Sequence, residues 1–425
     1  MTKAASTSAT AQGRLWIVSE LYYPEESATG YYMTALAEDL ARHFTVRALC
    51  GQPSYLARGV IAPSHERHHG VEIWRCWGTT RNKDVLWKRL SNLLTISVSL
   101  FVRLLLHLGR RDAVLVVTNP PLLPFLARVA AAFRRARCVV LVHDVYPGAA
   151  VAAGLLRPQS WLTRLLWRLT GWLGRSCDRV VVIGRDLREL LAAHGGDAAR
   201  TAVIPLWSDA DQVYPMPRDE NRLLKSLNLA DKFVVSCAGT LGRVHNVEAL
   251  AAAAEKLRAN REIHFLVLGS GKKKAWLLET IAARGLDNVT VLDHRPRHES
   301  LDFLNACDVA LSLFVPGMLG ISVPSRAYNV LAAGKPIIAM SDPQAELALL
   351  ICEERVGWVV PPDDADRLCD AILAACRDRG ALASMAVRAR AVAAAKYTRQ
   401  HAAAAFARLF GDLMTPASAT RRETR

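Results

Sequence analysis

Basic residues and glycines follow two short apolar runs in the second half of the chain. Residues 233–238 lead into the sequence GTLGRVHN, in which Gly242 permits a tight turn and Arg243 offers forked donors that suit a diphosphate. Residues 264–268 lead into Gly-Ser-Gly and then into three lysines, of which Lys272 is the first. Cations at the start of a helix oppose its dipole, and a bound anion relieves that opposition. The pattern predicts an anion site, and a solvated run of charge is the competing interpretation of the lysines.

A further candidate for anion binding lies in residues 317–339, GMLGISVPSRAYNVLAAGKPIIA. The pattern predicts a loop, a helix that begins at residues 323–325, a turn and a buried strand. Pro324 suits the first helical position, and Gly-Lys-Pro ends the helix. The free backbone N–H groups of Ser325 and Arg326, together with the helix dipole, favour an anion. An ordinary helix with a well-formed start and end is the alternative.

Two residues in the first half of the chain are candidates for the other side of a binding site. His143 ends the apolar run CVVLVH, and at the carboxyl end of a buried parallel strand its ring would hydrogen-bond a sugar hydroxyl or transfer a proton. Gly30 ends the predicted loop 24–30, before a helix from about Tyr31, and lets the backbone approach a ligand. A structural histidine and a plain loop glycine are the open alternatives.

The sequence carries no strong signal for a metal ion, a dinucleotide or ATP. The acids of residues 363–366, DDAD, follow two prolines, and helix capping explains them more simply than a metal cluster does. Neither GxGxxG nor a P-loop occurs. The nine Cys are scattered without CxxC spacing, which predicts reduced thiols. We therefore expect neither a metal nor a cofactor.

Short β-rich runs alternate with longer helical segments along the whole chain. The runs that predict strands are residues 15–19, 45–49, 71–76, 113–118, 138–143, 179–183 and 202–204, and then 233–238, 264–268, 289–292, 309–313, 337–339 and 358–360. Residues 205–217, with several prolines and acids, form the best candidate for a linker between the two sets. The predicted fold class is α/β, with two doubly wound parallel-sheet, Rossmann-like domains that face each other across a crevice.

These runs also set the predicted domain boundaries. Hydrophobic residues make up 51% of the chain and charged residues 22%, as in a globular protein with a large core. Both ends of the chain are polar and are expected to be disordered. The predicted regions are a disordered start at 1–12, a first domain at 13–208, a second domain at 209–385, helices at 386–414 that pack back toward the first domain, and a disordered tail at 415–425.

Two segments of the first domain have the composition of membrane-interface helices. Residues 93–108 contain 11 apolar residues among 16, and residues 161–175 combine tryptophan and leucine with three arginines. The first is expected to be too short to span a bilayer. The formal net charge of +15 agrees with docking on an anionic membrane surface. Arginines that merely reach water from helices packed on the sheet are the alternative.

The expected location is cytoplasmic, with peripheral attachment to the inner face of the cell membrane. Residues 1–12 lack the apolar core of a secretory signal, and no uninterrupted apolar run reaches the length of a spanning helix. The positive charge alone would also suit nucleic acid. Because no recognisable nucleic-acid module is present, we expect no nucleic-acid partner.

An ordered series of motifs makes the sequence resemble the retaining glycosyltransferases of family 4, which have the GT-B fold. The resemblance is closest to enzymes of bacterial polysaccharide and lipid-linked oligosaccharide assembly, such as colanic acid and O-antigen glycosyltransferases. It spans about residues 14–412. The motifs are YYPEESATG, GQPSY, TNPP, VHDVYP, IPLWSD, AGTLGRVHN, LGSG and VPSRAYNVLAAGKPIIA.

The resemblance implies transfer of a sugar from a nucleoside diphosphate donor, with UDP-sugars favoured, and retention at the anomeric carbon. It implies that the second domain binds the donor without a divalent metal. It also implies that the first domain binds a polyprenyl diphosphate-linked or saccharide acceptor. The matching positions are His143 beside the donor sugar, Arg243 on the diphosphate, Arg295 beside the base, and Gly30, Ser325 and Arg326 near the phosphates. We predict His143 and Arg243 as catalytic residues and Gly242, Lys272 and Asn329 as further members of the donor site.

The sequence departs from the family pattern where two glutamates usually stand eight positions apart. Ile321 and Asn329 occupy those positions here, and the second glutamate of other members touches the donor ribose. The basic residue that commonly follows the arginine by about five positions is also missing. His245, or a lysine among residues 272–274, is the expected replacement.

Two other functions are compatible with the sequence. A GT-B nucleotide-sugar epimerase needs acid and base residues around the sugar, and the two anchor-like segments argue against it. A non-catalytic nucleotide-sugar-binding partner in an assembly complex is favoured by the missing glutamates. Transfer assays separate a catalyst from a binding protein, and product analysis separates a transferase from an epimerase.

Overall fold

The computed structural model describes residues 13–54, 57, 59–79, 81 and 86–415. The predicted disordered ends fall outside the described residues, apart from Thr415, and so does Tyr55 of the GQPSY motif. The described chain forms two mainly parallel sheets whose strands alternate with helices. This arrangement confirms the predicted α/β fold class.

The first sheet has eight strands in the order β3-β4-β2-β1-β5-β6-β7-β8. Their bounds are β1 Leu15–Val18, β2 Val46–Cys50, β3 His65–His68, β4 Val71–Arg75, β5 Ala113–Val117, β6 Arg137–Val142, β7 Arg179–Val182 and β8 Thr201–Val203. The central strands are buried on both faces, which explains why they consist of continuous β-branched and leucine runs rather than alternating ones. All neighbours pair in parallel except β3, which is antiparallel to β4.

The second sheet has six strands in the order β11-β10-β9-β12-β13-β14. Their bounds are β9 Phe233–Thr240, β10 Ile263–Ser270, β11 Val289–Leu292, β12 Val309–Leu313, β13 Ile337–Met340 and β14 Gly357–Val360. Each strand coincides with an apolar run of the sequence, and β9 and β10 extend two residues beyond the predicted runs. The extension carries their last residues, Thr240 and Ser270, to the edge of the sheet where ligands bind.

Strand β3 is the strand that the apolar pattern does not predict. Its sequence, HERH, has no residue that a core would take up, and its side chains are exposed or half-buried. It is a short polar strand at the edge of the sheet, where charged side chains discourage pairing with another molecule. An edge strand of this kind needs only the β4 backbone as its partner.

Fifteen α-helices connect and cover the strands of the described chain. They are α1 Ala28–Leu40, α2 Leu86–His107, α3 Leu123–Arg134, α4 Gly148–Ala152, α5 Trp161–Ser176, α6 Arg185–Ala193, α7 Arg222–Ser226, α8 Val247–Lys256, α9 Lys274–Arg284, α10 Ser300–Asn305, α11 Arg326–Ala332, α12 Glu346–Glu354, α13 Ala365–Arg377, α14 Arg379–Lys396 and α15 Arg399–Met414.

Two helix starts differ from the prediction, and one agrees with it. Helix α1 begins at Ala28, so Gly30 lies in its first turn and not in a loop; the Ser27 hydroxyl caps it by accepting from the Gly30 N–H at 3.4 Å. Helix α11 begins at Arg326, later than predicted. Before α13, Asp364 is a capping residue, because its carboxylate accepts a hydrogen bond from a backbone N–H of the first turn.

Helix α2 is longer than the predicted interface segment. By length and composition alone, its residues Leu90–His107 would suffice to cross a membrane, so the expectation that the segment is too short was wrong on that point. Its inner face nevertheless belongs to the core of the first domain, because Ile96, Leu100 and Leu104 are buried there. The opposite face of α2 is exposed and also apolar.

The chain crosses between the domains twice. The first crossing is at Ser208, and the second is at Tyr397, whose backbone oxygen accepts from the Ser208 N–H at 2.8 Å. Helix α14 packs on α11, α12 and α13, whereas α15 packs on α1 and β5 of the first domain. The predicted boundary at 385/386 therefore falls inside α14, and the return to the first domain occurs at α15.

We predict that Asp112→Ala destabilises the first domain by about 3 kcal/mol, because the buried Asp112 carboxylate satisfies three donors. It accepts from the Arg14 N–H at 2.8 Å, the Trp16 indole N–H at 2.9 Å and the Gly109 N–H at 2.9 Å. A drop of roughly 6 to 12 °C in melting temperature is expected for a domain of this size. The control is Asp211→Ala at an exposed position, and equal melting temperatures for the two variants would contradict the prediction.

Candidate active site

A cavity of about 280 Å³ lies between the two domains. One wall consists of the ends of β9, β10 and β12 and the segments that follow them, and the other consists of the start of α1. Ligands of open α/β sheets bind at this position, outside the carboxyl ends of the strands. Four of the predicted donor-site residues line the cavity, namely Arg295, Ser325, Arg326 and Asn329.

Arg326 brings a positive charge into the cavity without a counter-ion among the described residues. Its guanidinium lies over the Phe303 ring, 5.2 Å from the centroid, and makes no hydrogen bond or ion pair with any described residue. Burial and the nearby Arg297 lower the pKa of Arg326. Its charge is therefore destabilised by these surroundings, and an anionic ligand would compensate for this.

Ser325 and Arg295 line the same cavity as Arg326. Ser325 precedes the first turn of α11, and its backbone oxygen is 3.5 Å from the Tyr32 hydroxyl, which donates across the cavity from the first domain. Arg295 follows β11 and pairs with Glu299 at 3.0 Å, so an acid of the protein already balances its charge. Arg326 is therefore the cavity-lining arginine among these with an uncompensated charge.

A cluster around Asp209 joins the two domains at one end of the cavity. The Tyr31 hydroxyl donates to the Asp209 carboxylate, which also forms an ion pair with Arg297. The Arg297 guanidinium lies 3.2 Å from the centroid of the Tyr31 ring. Burial and Asp209 raise the pKa of Tyr31 to about 12, so the hydroxyl stays protonated and remains a donor at neutral pH.

Asn329 belongs to the same cluster. Its side-chain oxygen accepts from the Asp209 N–H at 2.7 Å, and its amide nitrogen is 3.4 Å from the Asp209 carboxylate. A glutamate at this position would place a second carboxylate beside Asp209 and would lack the amide donor. The asparagine thus fits an environment that already contains an acid.

Ile321, at the other position of a missing glutamate, lies in an apolar contact and not in the cavity. It packs with Phe314 and Met318 in a small cluster. Its backbone oxygen accepts from the Val145 N–H at 2.9 Å. A Cβ added to Gly148 would come within 3.0 Å of the Ile321 side chain, so the first domain packs closely against this residue. Ile321 serves the interface between the domains.

Arg243 and Lys272 lie on two neighbouring loops beside the cavity. Both side chains are exposed, and neither makes a hydrogen bond or ion pair with a described residue. The loops are joined through Leu241, whose N–H donates to the Ser270 oxygen at 2.9 Å and whose oxygen accepts from the Lys273 N–H at 3.0 Å. Leu241 and Ser270 line the cavity, whereas the two free cations stand next to them at its edge.

The other two lysines of the run do not add free charge. Lys273 forms an ion pair with Glu248 at 2.8 Å, and Lys274 forms one with Asp293 at 2.5 Å. The prediction that three uncompensated lysines oppose the dipole of α9 was therefore wrong for two of them. Only the first, Lys272, is available to an anion within the described chain.

Gly242 and His245 shape the loop after β9. A Cβ on Gly242 would lie 3.4 Å from the His245 Nδ1 atom, which is buried without a hydrogen-bond partner among the described residues. Burial and the nearby Lys273 lower the pKa of His245 to about 4. The ring is neutral at physiological pH, so His245 lines the cavity as a neutral donor or acceptor and does not replace a missing cation.

Gly30 lies in the first turn of α1, next to residues that line the cavity. Ser27 and Ala28 line the cavity, whereas Gly30 does not. A Cβ on Gly30 would come within 2.4 Å of the Glu25 backbone oxygen, so a larger residue would displace the loop before α1. The glycine is required for close packing within the first domain, and not for direct approach to a ligand.

His143 lies at the end of β6, as predicted, but its ring does not line the interdomain cavity. It borders a separate small void of about 10 Å³ together with Tyr32, Trp207 and Phe406. The Nε2 atom is buried without a partner among the described residues. Burial lowers the pKa of His143 to about 4, so the ring is neutral at physiological pH. Tyr32 lines both this void and the interdomain cavity, whereas His143 lines only the void.

The sequence interpretation overlooked Tyr31, Tyr32, Asp209 and Arg297. All four lie in or beside motifs that the sequence analysis recognised. The two tyrosines directly follow YYPEESATG, the acid is the last residue of IPLWSD, and Arg297 follows Arg295 by two positions. Their contacts span 178 residues from Tyr31 to Asp209 and 88 from Asp209 to Arg297. Spacing within a motif does not reveal such contacts.

Comparison with known proteins defines the class. Residues 27–207 match the Glycosyl transferase 4-like domain, and residues 219–392 match the Glycosyl transferases group 1 family. Over 360 residues the chain is 31% identical to the probable glycosyltransferase WbjE of Pseudomonas aeruginosa. The aligned region covers 83% of this chain and 86% of the relative. The chain therefore belongs to the family 4 glycosyltransferases of the GT-B fold, and it is an enzyme of the hexosyltransferase type.

Solved structures agree with this fold. Anabaena HepE, in complex with UDP and glucose, has a TM-score of 0.73 and 16% identity, with 94% of this chain and 100% of that chain covered. The sucrose-phosphate synthase of Thermosynechococcus elongatus has a TM-score of 0.75 and 16% identity, with 95% and 99% covered. At this level of identity the similarity shows the fold alone, and it confirms the predicted GT-B arrangement.

We predict that His143 makes the stability of the first domain fall as the pH drops from about 6.5 to 4. The unfolded chain binds a proton on this histidine below its ordinary pKa of about 6.5, whereas the folded chain does so only near pH 4. The free energy of unfolding should fall by about 1 kcal/mol for each pH unit across this window, and this loss should be absent above pH 7.

His143→Phe removes this proton and should flatten the dependence of the unfolding free energy on pH by that amount, as measured by urea unfolding. His298→Phe, at an exposed position, is the control for adding a phenyl ring. Parallel curves for the His143→Phe variant and the unmodified protein would refute the assignment.

Proposed function

We propose that this enzyme is a retaining glycosyltransferase that moves a sugar from a UDP-sugar to a lipid-linked or saccharide acceptor in surface polysaccharide biosynthesis. The observation that carries the proposal is the unpaired, half-buried Arg326 in the interdomain cavity. A nucleoside diphosphate supplies the anion that this guanidinium lacks. The UDP in the HepE structure supports uridine as the base.

In this proposal the donor lies along the carboxyl ends of β9 and β12. Arg326 and the backbone N–H groups at the start of α11 bind one part of the diphosphate. Arg243 and Lys272, which have no protein partner among the described residues, close over the other part from their loops. Arg295 flanks the base. The acceptor enters from the side of the first domain, past the start of α1.

The proposed reaction needs no metal ion and no enzyme nucleophile. The bond between the anomeric carbon and the diphosphate oxygen breaks, and the arginines and Lys272 stabilise the charge of the departing diphosphate. The acceptor hydroxyl attacks the anomeric carbon from the same face, and its proton passes to a diphosphate oxygen. His143 borders the same small void as Tyr32, and its ring is neutral at physiological pH because burial lowers its pKa to about 4.

The test of the proposal is a donor screen followed by product analysis. Thermal shift against UDP, GDP and their sugars should give a stabilisation with the uridine compounds. Transfer to a lipid-linked or saccharide acceptor in the presence of EDTA should yield a product with the anomeric configuration of the donor. An inverted product, a strict need for metal, or isomerised donor without transfer would each refute it.

We predict that Arg326→Ala lowers kcat/KM about a hundredfold, because one lost contact to the departing charge typically costs that much. UDP affinity, measured by calorimetry, should fall with it, and Arg243→Ala should act in the same direction. Arg284→Ala is the matched control, since Arg284 is exposed in the same domain and pairs with Glu255 at 2.6 Å. If Arg326→Ala stays within a few-fold of the unmodified enzyme, the diphosphate assignment is wrong.

We further propose that the enzyme acts at the cytoplasmic face of the cell membrane, docked through the outer surface of α2, α3 and α5. Exposed apolar side chains cover this surface: Trp87, Leu90, Leu94, Val98, Val102 and Leu106 on α2, Leu122 and Phe133 beside and on α3, and Trp161, Leu165, Leu169 and Trp172 on α5. Trp172 stacks on Phe125 of α3, with centroids 6.3 Å apart, so the helices form one layer.

The charges on this layer are all of one sign along α2 and α5. Arg103, Arg164, Arg168 and Arg175 are exposed, and neither helix contains an acid. Tryptophan, leucine and basic residues on one face are typical of helices that lie in the headgroup region of an anionic membrane. Each cation near such a surface contributes about 1 kcal/mol of attraction.

We predict that the protein floats with vesicles that contain anionic lipid at low salt, and that the double variant Leu94→Glu, Val98→Glu loses most of this binding. Both side chains are about half exposed, at 55% and 46%, so the changes should not unfold the domain. The control is Val387→Glu, at a position 72% exposed on α14 of the second domain. Recovery of all unmodified protein in the soluble fraction would refute the docking surface.

A further inference from the structure

Two histidines and a glutamate meet on the surface of the first domain, away from the interdomain cavity. Glu38, His68 and His69 each offer one ligand atom, and these atoms lie within 4.8 Å of one another. Glu38 lies in α1, eleven residues after Ser27, which corresponds to about 16 Å along the helix. The cluster is therefore separate from the donor site, although it shares a helix with it.

The β3–β4 hairpin turns both histidine rings toward α1. His68 ends β3, and the turn consists of His69 and Gly70, with φ of 43° and 84°. Positive φ at both central residues defines the tight turn that suits the twist of an antiparallel hairpin. Consecutive residues of a strand point to opposite faces, but this turn brings the two rings to a centroid distance of 4.2 Å.

The surrounding contacts hold two of the three groups in position. The His68 ring stacks on Tyr23 at 3.8 Å, and its Nε2 atom lies 3.6 Å from Glu38 Oε1. The other carboxylate oxygen of Glu38 accepts from Arg399 at 3.2 Å. Glu38 Oε1 is thus the oxygen that faces the histidines, while the second oxygen is fixed by α15. A hydrogen-bonded carboxylate of this kind is typical of a metal ligand with an ordered second shell.

The nearby cations are already neutralised by other acids. Arg399 pairs with Asp39 at 2.6 Å, and Arg75 pairs with Glu66 at 2.5 Å. Because Arg399 also pairs with Asp39, it neutralises the negative charge of Glu38 only in part. His69 is exposed, and its ring makes no hydrogen bond with a described residue, so it is free to rotate toward a ligand.

We propose that Glu38, His68 and His69 bind a divalent transition-metal ion of the zinc class, which fastens the β3–β4 hairpin to α1. Two imidazole nitrogens and one carboxylate oxygen suit Zn²⁺, Co²⁺ and Ni²⁺ rather than Mg²⁺ or Ca²⁺, which prefer oxygen ligands. Bonds of about 2.1 Å bring neighbouring ligands to about 3.4 Å, so the exposed His69 side chain must move by only an ångström or so. Water completes the coordination.

The ion has a structural role in this proposal. It joins the edge hairpin, α1 and, through Glu38 and Arg399, α15, at the end of α1 opposite to the donor cavity. The proposed sugar transfer does not pass through it. Chelation should therefore lower stability without abolishing transfer, which keeps the failure of this site distinguishable from a failure of the proposed reaction.

The test uses untagged full-length protein in which the exposed Cys352, a competing metal ligand, is replaced by Ser. Zn²⁺ should raise the melting temperature in a saturable way that EDTA reverses, with one ion per chain by calorimetry. Co²⁺ should give visible absorption bands of a nitrogen- and oxygen-ligated ion.

The variant His69→Asn should weaken Zn²⁺ binding by at least about tenfold, as loss of a metal-site group does. Asparagine tolerates positive φ, so the turn and the fold should persist, which the melting temperature without metal verifies. The matched control is His65→Gln, on the same hairpin but bonded to Glu72 at 3.0 Å, and it should bind as tightly as the parent. Absence of any saturable effect of Zn²⁺, or equal binding by the His69→Asn variant, would overturn the site.

Discussion

The carboxylate of Asp209 is the contact on which the geometry of the interdomain cavity depends. It lies just beyond the first crossing between the domains and is shared by Tyr31 of the first domain and Arg297 of the second. A buried acid of this kind is stable only when its donors are all present. Because those donors belong to both domains, the relative position of the two sheets is fixed at the point where the cavity begins. Asn329 extends the same constraint to α11, the helix that carries Arg326 into the cavity.

The fold could be predicted closely from the sequence, because the patterns that identify its strands are local. Strands buried on both faces must consist of apolar runs, and such runs identified every strand of the described chain except β3. That strand satisfies only its backbone at the sheet edge, so hydrophobicity carries no information about it. The start of α1 was placed too late because Gly30 was taken as a loop residue. In the structure it is a helical glycine that packs against the Glu25 backbone.

The residues of the binding site were harder to predict from the sequence. What distinguishes them is whether a residue far away in the sequence forms an ion pair or a contact with them. Three lysines in a row look alike in the sequence, yet Glu248 and Asp293 neutralise two of them, while Lys272 has no ion-pair partner in the part of the chain that the structure describes. Arg295, Arg297 and Arg326 are the same residue type, and within the described chain only Arg326 forms no ion pair with an acid. His143 stands at the predicted strand end, but Tyr32 lines the cavity and His143 does not. Such differences depend on tertiary contacts between residues far apart in sequence.

The second crossing between the domains has a consequence for how the chain is assembled during synthesis. Phe406 and Phe410 of α15 are buried in the core of the first domain, although just over two hundred residues separate them from its last strand, β8. During translation, the strands of the first domain therefore leave the ribosome long before α15, the helix that covers them. Until that helix emerges, an apolar area on α1 and β5 stays uncovered, and the second domain has all of its strands before the first is complete. The domain that begins the chain is the last to be finished.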